Sequence, residues 1–189
     1  QIPVVHMVPV GPQRRCPLLS HDGRCSVHDC KPTVCALYPL GRVAMFHDVK
    51  GVDSEITREN IRVKYMMNDY TCGSAKKNNT VRDWLAKFQF PVEDQVFILW
   101  HVVHANLCMV VRKLEENKCP GQELKLLWDI MYYNLYVCFD TSEEFMPQFE
   151  KAAERLLDLC RIIRESKLNE ESEENGAESR NGDQTLVNG

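Results

Sequence analysis

Apolar and polar residues follow two different patterns along the chain, and the change falls near residue 79. Beyond that point apolar residues recur every three or four positions, which indicates amphipathic helices. The pattern predicts helices over residues 80–88, 92–116 and 122–137, and a fourth that opens at Ser142. Since the connections between the longer helices are short, we expect an antiparallel helical bundle over residues 79–167.

The first 78 residues predict a loop-rich region instead. Prolines at six positions exclude a long helix in the first forty residues: Pro3, Pro9, Pro12, Pro17, Pro32 and Pro39. Two short runs, 41–47 and 61–67, favour strands, and the second alternates apolar and basic residues with a period of two. We expect these runs to form a short antiparallel β-pair. The predicted fold class is therefore α+β, with a small cysteine-rich module at 1–78 followed by the helical bundle.

Residues 168–189 form a third segment. They are rich in Glu, Ser, Asn and Gly and offer little to bury, which predicts a disordered acidic tail. The segment holds six acidic residues and one basic residue, so the net charge of −4 leaves the rest of the chain at +1. A nearly neutral body lacks the positive field that nucleic-acid binding requires, and we expect no nucleic-acid partner.

Hydropathy and cysteine content indicate the cellular location of the protein. No apolar run reaches the about 20 residues that span a bilayer, so we expect no membrane partner. The first ten residues lack the basic start of a secretory signal. The nine cysteines are an odd number, which argues against a complete disulfide framework. We therefore expect a cytoplasmic location, where clustered cysteines usually bind metals or act as redox groups.

Four of the nine cysteines fall within residues 16–35. Thiolates are soft ligands that suit zinc or iron–sulfur centres. Turn residues such as Pro17 and Gly23 can hold separated cysteines close together in one loop. The intervals between the cysteines are longer than those of zinc fingers, so the spacing alone leaves buried, inert thiols as an equal alternative.

The motifs within residues 16–42 are more specific than the spacing. They read C-P-L-L, then D-G-R-C-S-V-H, then K-P-T-V-C-A-L-Y-P-L-G-R, and Cys72 is followed by glycine. In these motifs the chain resembles the YkgJ-like cysteine-cluster family of zinc- or iron-chelating domain proteins, and the similar layout extends over residues 1–166. The resemblance implies metal binding by Cys16, Cys25, Cys35 and Cys72, with zinc or an iron or iron–sulfur centre as the cofactor. Relatives open with a C-x3-C-x2-C-C cluster, so we expect an upstream segment to be missing here.

Other candidate ligands are weaker. Cys30 departs from the family motif and is interpreted as a free thiol, and His28 as an ordinary loop histidine. His101 and His104 lie three residues apart on the predicted helix. We interpret them as packing or surface groups because no Glu or Cys is seen to complete a site. The remaining cysteines are predicted to be core (Cys160) or to lack a partner at ligand spacing (Cys108, Cys119 and Cys138).

The sequence thus predicts a metal-binding protein of the cysteine-cluster type. One alternative is a thiol or iron–sulfur oxidoreductase, although no C-x-x-C pair is present. The other is a helical interaction module whose cysteines are only structural. No catalytic constellation is visible, so the question of enzymatic activity stays open, and an oxidoreductase role would require an iron–sulfur centre.

Overall fold

A computed structural model describes residues 2–49, 54–68 and 79–181, with the backbone alone from residue 167 onward. It contains two strands and five α-helices, which confirms the α+β class. In chain order they are α1 (Thr33–Leu37), β1 (Leu40–Phe46), β2 (Ile61–Met67), α2 (Val81–Ala86), α3 (Gln95–Glu116), α4 (Gly121–Tyr132) and α5 (Phe145–Asn181). Short 3-10 helices lie at His28–Cys30 and Arg58–Asn60, and a π-helix, Tyr133–Val137, continues α4.

The described residues divide into two compact units. The sheet unit consists of those within 4–49 and 57–101, and the helical unit of those within 2–3, 54–56 and 102–181. This division differs from the predicted boundary at residue 78, because α2 and the first seven residues of α3 belong to the sheet unit. Hydrogen bonds explain the difference: the Trp84 indole N–H donates to Leu37 O at 3.0 Å, and the Tyr65 hydroxyl donates to Val92 O at 2.9 Å.

The two strands pair antiparallel, as the sequence predicted for runs 41–47 and 61–67. Leu40 lies opposite Met67 and Phe46 lies opposite Ile61. The side chains of Leu40 and Ile61 are buried, whereas Met45, on the other face of the sheet, is exposed. This alternation is typical of a sheet that packs on one face.

An ion pair links β1 to the start of α3 within the sheet unit. Arg42 Nη1 lies 2.7 Å from Asp94 Oδ2, and both side chains are largely buried. The Arg42 guanidinium also lies over the Phe97 ring, 4.2 Å from its centre. Asp94 Oδ1 accepts hydrogen bonds from the Val96 and Phe97 N–H groups, as an N-cap residue does. Because Asp94 caps the helix, α3 begins at Gln95 and not at residue 92 as predicted. Arg42 therefore has a structural role.

The core of the helical unit is apolar with one polar exception. Its most deeply buried side chains come from α3, α4, the π-helix and α5, and include Val103, Leu107, Met131, Leu135, Phe149 and Leu156. Asn106 is fully buried among them and uses both ends of its amide. Its Nδ2 donates to Ile56 O and Val102 O, and its Oδ1 accepts from Ile56 N and Arg164 Nη2.

The two ends of α5 both differ from those of the predicted fourth helix. The predicted opening at Ser142 is wrong, since α5 begins at Phe145. The backbone N–H and hydroxyl of Ser142 both donate to Asp140 Oδ1, so the serine closes a turn before the helix. At the other end α5 runs to Asn181, through most of the segment predicted to be a disordered tail. Residues 182–189 lie outside the described part.

Among the described residues, α3 is the one helix long and apolar enough to cross a membrane by length and composition. Core helices of folded domains meet the same test. Within its apolar window 44% of the residues are buried inside the fold, including Val103 and Leu107.

Candidate metal centre

Cys16 and Cys25 lie on one small hydrogen-bonded hairpin. Pro17 follows Cys16 at the second position of a β-turn, which the Leu19 N–H closes on Cys16 O at 3.2 Å. Leu19 then pairs with Cys25 as an antiparallel bridge. The Ser26 N–H and hydroxyl both donate to Leu18 O at 2.9 Å. A β-turn and a bridge together hold the Cα atoms of the two cysteines within about 12 Å of each other.

The tip of this hairpin is organised by Asp22. The Ser20 hydroxyl donates to Asp22 Oδ1, and the Arg24 N–H donates to the same oxygen at 3.3 Å. These hydrogen bonds, the one from Ser20 foremost, lower the pKa of the Asp22 carboxyl. Gly23 follows with φ of 77°, a conformation that glycine adopts without strain. The turn predicted around residues 21–23 therefore holds the two arms that carry the cysteines.

Cys35 lies on α1, which follows the hairpin after a short 3-10 turn. Its N–H donates to Pro32 O at 2.9 Å, and its side chain is exposed. The neighbouring Ala36 and Leu37 are buried, so the helix is fixed by its other face. Cys16 and Cys25 are half-buried, whereas Cys30 and His28 are exposed.

The structure provides thiol donors without assembling them into a complete site. Within residues 2–49, 54–68 and 79–181, no three His, Cys, Asp or Glu side chains are grouped closely enough to hold a metal ion. The fourth expected ligand, Cys72, lies outside the described residues. None of the eight cysteines in the described ranges is in a disulfide. The donor type fits a soft metal, but coordination by Cys16, Cys25 and Cys35 together requires their segments to come closer.

The cysteines of the helical unit differ in chemistry. Cys160 is buried, as its place on the apolar stripe predicted, and desolvation raises the pKa of its thiol to about 11. The Cys119 thiol donates to Glu123 Oε2 at 3.2 Å, and the Cys138 thiol to Asn134 O at 3.4 Å. A buried thiol that stays protonated is a poor nucleophile, so Cys160 is inert.

Sequence reasoning missed one pair of potential ligands. Cys108 Sγ lies 3.8 Å from His104 Nδ1, across one turn of α3. The prediction that Cys108 lacks a partner at ligand spacing is therefore wrong. The signal was present in the sequence, because residues four apart are neighbours on a helix surface.

Comparison with protein-family models, with curated proteins and with solved structures finds no match to this chain. Membership of the YkgJ-like family stays a prediction that rests on the motifs within residues 16–42 and at Cys72.

Proposed function

We propose that this chain is a metal-binding protein of the cysteine-cluster type, which chelates zinc or an iron–sulfur centre through Cys16, Cys25, Cys35 and Cys72. The observation that supports the proposal is the hairpin, which holds two half-buried thiols on adjoining turns. The proposed partner is the metal ion, without a nucleic-acid or membrane partner. The proposed compartment is the cytoplasm, where thiols stay reduced.

In this proposal metal binding and local folding are coupled. Because Cys16, Cys25 and Cys35 are not grouped closely enough to hold a metal ion, the binding free energy has to bring Cys35 and the hairpin together. Structural zinc sites commonly supply folding free energy in this way. We therefore expect the sheet unit to become more protected from amide hydrogen exchange when the metal binds, with its largest gain in residues 16–35.

The test is the metal and acid-labile sulfide content of the anaerobically purified chain. Four single variants, Cys16→Ser, Cys25→Ser, Cys35→Ser and Cys72→Ser, are compared with Cys30→Ser. Cys30 is the matched control, because it is an exposed cysteine of the same segment outside the proposed ligand set. Stoichiometric zinc without sulfide, lost in the four variants and kept in the control, would support a zinc site. Iron with sulfide in the same pattern would support an iron–sulfur centre.

Two results would overturn the proposal. The first is a chain that binds no metal when zinc or iron and sulfide are supplied. The second is a metal content that the four substitutions leave unchanged. A thiol oxidoreductase would be distinguished by one thiol that reacts with an alkylating reagent much faster than the others at neutral pH, which is the behaviour of a cysteine with a low pKa.

A further inference from the structure

His104 and Cys108 form a pair of soft ligands on the middle of α3, within the helical unit. Cys108 Sγ lies 3.8 Å from His104 Nδ1. In a tetrahedral zinc site, a thiolate sulfur about 2.3 Å from the metal and an imidazole nitrogen about 2.0 Å from it are separated by about 3.5 Å. The observed separation is close to this value before any metal is present.

The backbone that carries the pair is rigid and its outer side is accessible. Both residues lie well inside a helix of 22 residues. The intervening Leu107 and the preceding Val103 are completely buried, so they fix this part of α3 against the core. Cys108 is exposed and His104 is half-buried. With the two donor atoms 3.8 Å apart on this fixed helix, coordination by both requires no change in the backbone.

The chemistry of Cys108 argues against a role as a catalytic nucleophile. Desolvation raises the pKa of the Cys108 thiol, so at neutral pH it remains protonated. A Cys–His catalytic pair needs the opposite, a thiolate stabilised by its neighbours. In the metal-free chain Cys108 Sγ and His104 Nδ1 lie within the distance of a weak hydrogen bond, whose donor depends on the imidazole tautomer. A thiophilic cation can replace this hydrogen bond, with the thiol proton released to water.

We propose that His104 and Cys108 form a second metal site, a two-residue site for zinc or a similar thiophilic divalent cation with water in the remaining positions. It is independent of the cysteine cluster proposed above, because it uses none of Cys16, Cys25, Cys35 and Cys72 and lies in the helical unit. Two histidines at the same spacing of four residues on one helix face supply two of the zinc ligands in metalloproteases. Here a cysteine replaces the second histidine.

The test is a titration of the full chain with Co²⁺, which substitutes for zinc and gives a visible spectrum. It is carried out in the wild type and in a background with Cys16, Cys25, Cys35 and Cys72 all changed to Ser. In both, we expect His104→Ala and Cys108→Ser to abolish one equivalent of bound cobalt. Cys108→Ser also removes the thiolate-to-cobalt charge-transfer absorption of that equivalent. If the fourfold background does not fold, the loss of one equivalent in the wild-type background remains measurable.

Two further variants separate coordination from a structural hydrogen bond. Cys108→His should keep the bound equivalent and lose only the sulfur charge-transfer band. Cys138→Ser is the matched control, a cysteine of the same unit whose thiol bonds to a backbone carbonyl. It should keep both the equivalent and the band. Equal cobalt stoichiometry in the wild type, His104→Ala and Cys108→Ser would overturn the second site, whatever the result for the cysteine cluster.

Discussion

Asn106 is a buried polar residue of the helical unit whose side chain is held by several hydrogen bonds. Its amide makes four hydrogen bonds, two of them to the backbone of Ile56, which is 2% exposed. We expect Asn106→Ala to lower the free energy of unfolding by about 3 kcal/mol, because the buried Ile56 N–H and C=O lose their partner and water cannot replace it. Urea unfolding followed by circular dichroism would measure the loss.

Asn134→Ala is the control for this prediction. Asn134 also uses both ends of its amide, donating to Ile130 O and accepting from Arg155 Nε, but it is only half-buried. Solvent can replace part of these bonds, so we expect a loss below about 1.5 kcal/mol. Equal losses in the two variants would show that the burial of Asn106 contributes nothing specific.

At the scale of elements, α2 depends on a capping box that also has a titration signature. Thr80 Oγ1 accepts from the Asp83 N–H at 3.2 Å, and Asp83 Oδ2 accepts from the Thr80 hydroxyl at 2.7 Å and the Thr80 N–H at 3.0 Å. The hydrogen bonds from Thr80 lower the pKa of the Asp83 carboxyl. A carboxyl with a lowered folded-state pKa stabilises the fold above its unfolded value, and this contribution is lost as the pH falls through the folded pKa.

We therefore expect Asp83 to titrate below 3.8, its ordinary value. In Thr80→Ala its pKa should rise towards that value, because the hydroxyl donor is gone. A carbon-13 NMR titration of the side-chain carboxyl measures both. Thr57→Ala is the control, since Thr57 begins the chain's other capping box, where the third residue is Asn60 and no carboxyl takes part. A pKa for Asp83 that is the same in the wild type and Thr80→Ala would contradict the prediction.

The elements also show which parts of the structure could be predicted from the sequence. Periodicity located both strands and the interiors of α2 to α5, because that signal depends only on which side chains are buried, but it did not locate the five-residue α1. The positions of the helix ends were harder to predict from the sequence. Asp94 caps α3 while binding Arg42, 52 residues away, and Ser142 bonds to Asp140 instead of opening α5. Such ends depend on contacts that no local pattern contains.

For the candidate metal site too, local features could be predicted from the sequence and tertiary features could not. The motifs around Cys16 and Cys25 predicted a turn, and the hairpin contains one at Gly23. Whether Cys35 approaches them depends on how α1 packs through Ala36 and Leu37, which is a tertiary property. The pair His104 and Cys108 could have been predicted, since their spacing of four residues within a clear helical pattern is sufficient.

At the scale of the whole molecule, the acidic segment 168–189 determines the sign of the net charge. We expect it to contribute little to the free energy of unfolding. Among the side chains that the structure describes, which end at residue 166, the most C-terminal buried one is Cys160, and Arg164 Nη2 still bonds to Asn106. A chain that ends at Lys167 keeps both, so its thermal midpoint should lie within about 2 °C of the full chain, a change below about 1 kcal/mol. Loss of six acidic residues and one basic residue changes the net charge from −4 to +1. The shortened chain should therefore elute earlier from an anion exchanger at pH 7.

A chain that ends at residue 159 is the control, because it loses Cys160 and Arg164. Its thermal midpoint should fall by more than 5 °C, since more than about 2 kcal/mol of packing and hydrogen bonding is lost. A large fall already on ending at Lys167 would mean that the helix beyond that residue stabilises the fold.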